Sequence, residues 1–182
     1  IHTGKWTTRH QIYTVANSDR GQASDRKLIP IKNTIVLNKK FNTISRKLKQ
    51  KGYKTCHSGK WHLSNDPLEY GFDINIAGGP NGAPGSYYPP YSNKNNQVII
   101  EKSENKYLTD LIMEKTLLFL DNVNAPFFLN YSPYAVHTPI QPVDSLIYKY
   151  ENKPPYKGQK NPKYATMVEN LDRNIGLMVD KL

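Results

Sequence analysis

Two short segments of this sequence carry the side chains best suited to chemistry on an anion. Gly59-Lys60-Trp61-His62-Leu63 places a lysine and a histidine two residues apart, and in an extended segment both side chains point to the same side. A fixed ammonium can stabilise negative charge while the imidazole moves a proton. Ala135-Val136-His137-Thr138-Pro139 holds a candidate general acid, His137, in a proline-bounded loop. The residue types alone also fit a surface lysine, a packed Trp-His pair and an ordinary loop histidine.

Further candidate ligand contacts lie in two other segments. Lys5 and Arg9 group cations near a glycine, which suits an anion-binding turn, although a basic and flexible terminus is the alternative. The stretch from Pro67 to residue 97 is rich in glycine, proline, asparagine and tyrosine and has no periodicity. So long a segment indicates either a functional loop or disorder, and its aromatic residues favour a functional loop. Tyr87 and Tyr88 are among these aromatic residues.

The histidines do not indicate a metal site. His57 and His62 are five residues apart, and no acidic pair accompanies them in a recognisable ligand spacing. We therefore predict no metal ligands in this chain. The sequence also lacks a phosphate-binding P-loop, a dinucleotide-binding glycine signature and a nucleophile elbow.

The elements that must position these residues follow from hydrophobic spacing and capping residues. Residues 1–40 are irregular, and the later segment 133–159 is irregular as well. The last helix is the clearest element because Asn161 caps it, Pro162 takes its first position and apolar residues recur on one face. That face consists of Tyr164, Met167, Val168, Leu171, Ile175, Met178, Val179 and Leu182. The other predicted elements are a possible short strand at Thr34–Leu37, a helix at Asn42–Lys51 stopped by Gly52, a strand at Tyr53–Cys56, a helix at Tyr107–Val123 and a strand at Phe127–Tyr131.

Alternating strands and helices predict the α/β class, with a mostly parallel central sheet flanked by helices. Ligands of such sheets lie beyond the carboxyl ends of the strands. The predicted strands at Tyr53–Cys56 and Phe127–Tyr131 lead into histidine-containing segments. His57 and His62 follow the first strand, and His137 follows the second. The fold class thus predicts that these histidines share one site.

Composition narrows the choice of partner. The chain has 182 residues, a formal net charge of +10 and a sequence pI of about 9.5. A basic surface attracts nucleic acid, anionic membrane, sulfated glycan or phosphate. No recognition helix, zinc finger or RNA-binding signature is present, which argues against specific nucleic-acid binding, and no apolar run is long enough to span a bilayer. A single cysteine, Cys56, excludes an intrachain disulfide.

Taken together, these segments resemble the sulfatase family of the alkaline-phosphatase superfamily, in the same order along the chain. The Gly52-Tyr53 pair followed by residues 59–63 resembles a family signature, Gly-Tyr and then Gly-Lys-Trp-His-Leu-Gly. Other similar segments are Thr3-Gly4-Lys5 with Arg9-His10, Gly71-Phe72-Asp73, Tyr107-Leu108-Thr109-Asp110, Pro126 through Leu129 leading to His137-Thr138-Pro139, and Tyr164 through Asp172. The whole chain, residues 1–182, would then be part of a sulfatase catalytic domain, incomplete at both ends.

The resemblance implies sulfate-ester hydrolysis by the parent protein, on a sulfated carbohydrate or an aryl sulfate. It implies a formylglycine nucleophile and Ca²⁺ in that parent, with Lys60 holding a sulfate oxygen, His62 taking a proton and His137 serving the leaving-group oxygen. Lys5 would lie near the sulfate pocket, with Arg9 as a further substrate contact. The loop from Gly78 to Tyr91 resembles regions that shape the substrate pocket in bacterial carbohydrate sulfatases, which implies that Tyr87 and Tyr88 contact a sugar ring. The modified cysteine and the metal ligands would lie outside this chain, which starts at Ile1 rather than Met, and Cys56 does not occupy the nucleophile position.

Three expectations follow. The chain alone should neither bind Ca²⁺ tightly nor hydrolyse sulfate esters, and the parent should be periplasmic or secreted. The alternatives are a phosphodiesterase or phosphatase of the same superfamily, and a non-catalytic basic fragment that binds anions or glycans.

Overall fold

The computed structural model describes residues 1–15, 19, 21–96, 98, 100 and 105–182. Within this part of the chain, three parallel strands form one sheet in the order β2-β1-β3, and five α-helices flank it. The strands are β1 at Lys54–Gly59, β2 at Ile74–Ile76 and β3 at Phe127–Ser132. The helices are α1 at Thr7–His10, α2 at Ile44–Gln50, α3 at Leu108–Asn122, α4 at Asp144–Glu151 and α5 at Pro162–Lys181, with 3-10 turns at Ala23–Asp25 and Pro67–Tyr70. The predicted α/β class and parallel sheet are confirmed. Among the described residues, no helix combines the length and apolarity needed to cross a membrane.

Strand β1 lies at the centre of the sheet and is buried from Thr55 onward, although its sequence is polar. Its side chains have partners: the Thr55 hydroxyl donates to the Gly71 carbonyl oxygen at 2.8 Å, and the Ser58 hydroxyl lies 2.7 Å from that of Thr116. Burial of a polar group is costly only when its hydrogen bonds are unmade. The strand therefore reaches the centre without the Val and Ile typical of parallel sheets.

The two faces of the sheet are covered by different clusters. Cys56 belongs to the larger cluster, with Leu108, Leu111 and Ile112 of α3. His57 points to the opposite face, as alternation along a strand requires, and its ring packs edge-on against Trp61 of the smaller cluster at 5.1 Å between ring centroids. The site residues that follow β1 are thus held between two packed layers.

Several element predictions need correction. Thr34–Leu37 is not a strand; the backbone N–H of Leu37 donates to the Leu63 carbonyl oxygen, and its side chain fills the smaller cluster. Strand β1 continues to Gly59, so His57 lies inside the strand and not in the loop after it, because β2 and β3 both pair with it there.

The irregular segments also contain structure. The 67–97 segment holds a 3-10 turn and β2, which has only three residues and is too short to show a pattern. Residue 97, where this segment was predicted to end, lies outside the described residues. The 133–159 segment holds α4, and residues 1–40 hold α1 and a second 3-10 turn.

Helix α5 has the predicted cap and start but buries a different face. The Asn161 side chain accepts the Tyr164 N–H, and Pro162 takes the first position. Of the predicted apolar face, Met167 is fully buried, whereas Val168, Ile175, Val179 and Leu182 are exposed. The buried side is polar because α3 presents the Asp110 carboxylate there. The amides of Asn170 and Asn174 donate to its Oδ1 at 2.8 and 2.7 Å.

His57 is a buried neutral residue, and its burial makes stability depend on pH. Its Nε2–H donates to the Gly59 carbonyl oxygen at 3.1 Å, and its Nδ1 accepts from the Asn130 amide at 2.9 Å. Burial lowers the pKa of His57 to about 4. Since the unfolded ring has the ordinary, higher pKa, the unfolded state binds more protons between about pH 4 and 6.5, and stability falls as the pH falls through that range.

We predict that this proton uptake costs about 3 kcal/mol of unfolding free energy between pH 7 and pH 4. Urea unfolding of wild type and His57→Gln across this range measures it. The variant should be less stable at pH 7 but lose less stability on acidification, and NMR titration of the wild-type ring should give a pKa of about 4. The prediction is contradicted if the unfolding free energies of wild type and variant fall equally with pH. It is also contradicted if the His57 ring of the wild type titrates near pH 6.5.

Candidate active site

The carboxyl ends of the three parallel strands meet at one edge of the sheet. Residues 60–62 follow β1, residues 77–82 follow β2 and residues 133–137 follow β3. Hydrogen bonds join these three segments: the Lys60 N–H donates to the Ser132 carbonyl oxygen at 2.6 Å, the His62 N–H to that of Gly79 at 2.9 Å and the Tyr134 hydroxyl to that of Ala77 at 2.9 Å. The predicted convergence beyond the strand ends therefore takes place.

Lys60 and His62 line the same cleft, which has a volume of about 630 Å³. The expected extended conformation is wrong, because His62 has a left-handed backbone with φ of 59°. A histidine tolerates this region better than a branched residue does. The left-handed turn brings the His62 ring against the loop after β2.

Gly82 is the residue against which this ring packs. A Cβ built on Gly82 would lie 2.4 Å from Cε1 and 2.5 Å from Nδ1 of His62, closer than real contacts allow. Sequence reasoning did not single out Gly82 as part of the site. The glycine-rich run at residues 78–82 was visible, but nothing in it indicated contact with a histidine twenty residues earlier.

The His62 imidazole is held in its neutral form. Partial burial lowers its pKa, and the positive charges of Lys60 and His137 lower it further. Because His137 acts on His62 electrostatically, residues from the β1 and β3 loops share one local environment. A neutral imidazole beside a fixed ammonium can accept a proton near an anion.

His137 lies on an exposed loop whose backbone is fixed. Its N–H donates to the Tyr134 carbonyl oxygen at 2.9 Å, and its own carbonyl oxygen accepts from the Tyr87 hydroxyl at 3.0 Å. Its Nδ1 lies 2.9 Å from the carbonyl oxygen and 3.1 Å from the hydroxyl of Thr138, so this nitrogen is engaged within its own loop. Nε2 is the ring nitrogen left for contact with a ligand.

The two loop tyrosines support this loop and do not line the cleft with Lys60 and His62. Tyr87 is fully buried and stacks on Tyr107 with ring centroids 5.2 Å apart, so its ring has no surface for a sugar. The Tyr88 hydroxyl donates to the Pro142 carbonyl oxygen at 2.9 Å. The prediction that Tyr87 contacts substrate is therefore wrong, because this residue holds the His137 loop from within the core. The Tyr88 hydroxyl supports the chain after the same loop, at Pro142.

Lys5 and Arg9 are exposed on the N-terminal segment, and neither lines the cleft. The segment is anchored beside the site by His2, whose ring packs edge-on against Trp61 at 4.9 Å between ring centroids. After α1 the chain enters the cleft wall at Ile12. The structure thus places Lys60 and His62 in one cleft, and His137, which does not line it, on the neighbouring loop where its charge acts on His62. The two N-terminal cations lie at the periphery.

The residues present do not supply the two groups that the family resemblance implies. Cys56 is fully buried, and burial raises the pKa of its thiol to about 12, which does not suit a reactive or modified residue. Among the described residues, no three His, Cys, Asp or Glu side chains form a group that could hold a metal ion.

Comparison with known proteins gives a consistent result. The sequence model of the Sulfatase family matches residues 7–182. The chain is 37% identical over 108 residues to the N-acetylglucosamine-6-O-sulfatase of Bacteroides thetaiotaomicron, covering 58% of this chain and 18% of that protein. It is 27% identical over 159 residues to the N-acetylgalactosamine-6-sulfatase of Homo sapiens, covering 74% and 28%. The chain thus covers less than a third of either relative.

Solved structures agree. The structure of BT4656 in complex with its substrate, D-glucosamine-2-N,6-O-disulfate, matches with a TM-score of 0.59 and 27% identity, covering 86% of this chain and 28% of that one. Ps i-CgsB in complex with k-i-k-neocarrahexaose matches with a TM-score of 0.67 over 100% of this chain and 42% of that one, and at 24% identity it supports the fold.

The parallel sheet flanked by helices and its match to these solved structures show the alkaline-phosphatase-like sulfatase fold. Since the family match extends over nearly the whole sequence, the chain belongs to the sulfatase family. The resemblance inferred from its motifs is confirmed.

The contact between Gly82 and His62 gives a direct test of the site geometry. We predict that Gly82→Ala displaces the His62 ring, exposes it and raises its pKa toward the ordinary value, because burial is the largest cause of the lowered pKa. NMR titration of the ring measures this. Gly79→Ala is the matched control, since a Cβ there meets no atom within 4 Å. An unchanged His62 titration in Gly82→Ala, or equal changes in both variants, would contradict the geometry.

Proposed function

We propose that Lys60, His62 and His137 form part of a site that hydrolyses sulfate esters of carbohydrates in the parent protein. The observation that carries this proposal is their convergence at the carboxyl edge of the sheet, where the charges of Lys60 and His137 lower the pKa of His62. Membership in the sulfatase family supports sulfate as the group recognised. It also favours this reading over a phosphatase of the same superfamily.

Each of the three residues has a role that its chemistry allows. The Lys60 ammonium would hold a sulfate oxygen as a point charge. His62, kept neutral in the free protein, would accept a proton, and the bound anion would stabilise the resulting imidazolium. Protonated His137 would donate from Nε2 to the leaving-group oxygen, because its Nδ1 is engaged by Thr138.

The remaining catalytic groups would come from outside these 182 residues. The family resemblance implies a formylglycine nucleophile and Ca²⁺, for which the described residues offer neither a suitable cysteine nor a ligand cluster. We therefore propose that the chain alone binds sulfate esters weakly and does not hydrolyse them. A binding fragment without catalysis is its expected behaviour in isolation.

A sulfated sugar is the proposed substrate class. The relatives named above include 6-sulfatases of N-acetylglucosamine and N-acetylgalactosamine. The net charge of +10 suits a polyanionic glycan. By resemblance alone, the parent is proposed to be periplasmic or secreted.

The proposal is tested by NMR titration of His62 with N-acetylglucosamine 6-sulfate. We expect the sulfated sugar to raise the pKa of His62 in wild type, because an anion beside the ring favours the imidazolium. In the Lys60→Gln variant, the pKa of His62 without ligand should also rise, because a neighbouring positive charge is removed. The affinity for the sugar should fall about tenfold, as loss of a charge-assisted hydrogen bond implies.

Lys47→Gln is the matched control, because Lys47 is exposed on α2 and does not line the cleft. It should titrate like wild type. The proposal fails if unsulfated N-acetylglucosamine moves the His62 titration equally, or if Lys60→Gln leaves both the pKa and the affinity unchanged.

A further inference from the structure

A second cleft, of about 450 Å³, lies where α4 is connected to α5, within residues 150–165. It has no lining residue in common with the cleft that contains Lys60 and His62. Three tyrosines and two lysines are among its lining residues: Tyr150, Tyr156, Tyr164, Lys153 and Lys160. Nothing in the proposed function uses this part of the chain.

The aromatic rings here are available to a ligand, unlike those in the core. The Tyr156 side chain is 71% exposed and that of Tyr164 is 39% exposed, whereas Tyr87 and Tyr91 are fully buried. A flat, exposed tyrosine ring presents an apolar face and a polar edge, which is the combination that the face of a sugar ring needs. These exposed rings are therefore accessible to a ligand in the cleft.

The charge of this segment is strongly positive. Residues 148–164 contain five lysines, at positions 149, 153, 157, 160 and 163, and one acidic residue before α5, Glu151, which also lines the cleft. Lys149 is paired with Glu169 of α5 at 2.8 Å, whereas the lining of the cleft itself contains Lys153 and Lys160 against Glu151. The cleft therefore favours an anionic ligand.

The lysines are placed beside the rings. The Lys153 ammonium lies 5.0 Å from the centre of the Tyr150 ring, and the Lys157 ammonium lies 5.3 Å from that of Tyr156. Each cation thus lies over one face of a tyrosine ring, so a ligand that contacts the ring also meets a positive charge. A sugar ring that carries a sulfate group has both complementary parts.

The backbone that carries Tyr156 is held in a turn. The N–H groups of Tyr156 and Gln159 donate to each other's carbonyl oxygens, at 3.3 and 2.9 Å. Pro154 and Pro155 precede it and restrict the chain further. A ring presented from a restricted turn loses less conformational entropy on binding.

We propose that this cleft is an accessory binding site for sulfated polysaccharide, holding a part of the chain that is not being hydrolysed. The choice of a sulfated glycan over other polyanions rests on the proposed function. The tyrosine and lysine composition of the cleft stands without it. Such a site would increase the affinity for long substrates relative to single sugars.

The test measures binding of a fluorescent dextran sulfate oligosaccharide to the 182-residue chain by anisotropy. Tyr156→Ala should weaken binding about fivefold, as loss of one stacking ring implies. The double variant Lys153→Gln/Lys160→Gln should weaken it by a similar or larger factor and reduce its salt dependence. Both changes affect side chains at the surface, and circular dichroism checks that the fold is kept.

Matched controls are available outside the cleft. Tyr148→Ala removes a tyrosine that is 79% exposed but does not line it, and Lys27→Gln/Lys32→Gln removes two exposed lysines elsewhere. Both should bind within about twofold of wild type. Equal losses in the control and cleft variants, or equal binding of unsulfated dextran, would overturn the proposal. The proposal would also be overturned if single-stranded DNA of matched charge bound with the same dependence on Tyr156. The cleft would then be a general polyanion surface.

The accessory site and the proposed active site can fail independently. The losses caused by the cleft variants should be the same in a Lys60→Gln background, because the two clefts have no residue in common. If instead Lys60→Gln abolishes binding of dextran sulfate and the cleft variants then have no effect, the accessory site does not exist, whereas the active-site proposal remains.

Discussion

The pairing of β1 with a parallel strand on each side determines where every candidate catalytic residue lies. β1 is in register with β3 from Lys54 to Gly59, and the Lys60 N–H continues the ladder by donating to the Ser132 carbonyl oxygen. The strands approach so closely at this end that a Cβ on Gly59 would lie 2.0 Å from that oxygen, and Gly59 has a φ of +100°. A glycine is therefore required where β1 leaves the sheet. Lys60 and the His137 loop keep their relative positions because of this contact.

The two histidines of the β1 segment show how partners decide the role of a residue type. His57 and His62 both have lowered pKa values, and burial is the largest cause for each. Both ring nitrogens of His57 have protein partners, Gly59 and Asn130, so this histidine stabilises the sheet. His62 lines a cleft and is influenced by two neighbouring cations. Of these two histidines, His62 is the one that a ligand in the cleft can reach.

The sequence predicted the parts of this fold that local patterns encode. Gly52 follows α2 with a positive φ, and Asn161 with Pro162 starts α5, both as predicted. The buried face of α5 could not be predicted from its own residues. It depends on the Asp110 carboxylate of α3, which draws two asparagines inward and leaves apolar side chains outside.

The residues of the site could be predicted where local sequence patterns encode them, but not where contacts between distant segments decide their role. Lys60, His62 and His137 follow strands that a short buried pattern reveals, and their family motifs are local. Gly82 as the support of His62 and Tyr87 as the support of the His137 loop depend on contacts between distant segments. A tyrosine in a glycine-rich loop looks like a ligand contact in sequence, whereas its stacking on Tyr107 places it in the core.

The central claim is that one anion can contact residues from two different strand ends. A crystal structure of the chain with a bound sulfate monoester tests this most directly. We expect the sulfate group in the cleft, with one oxygen about 3 Å from the Lys60 ammonium and the ester oxygen toward His137. A sulfate bound elsewhere on the basic surface, or rings of His62 and His137 that face different cavities, would contradict it.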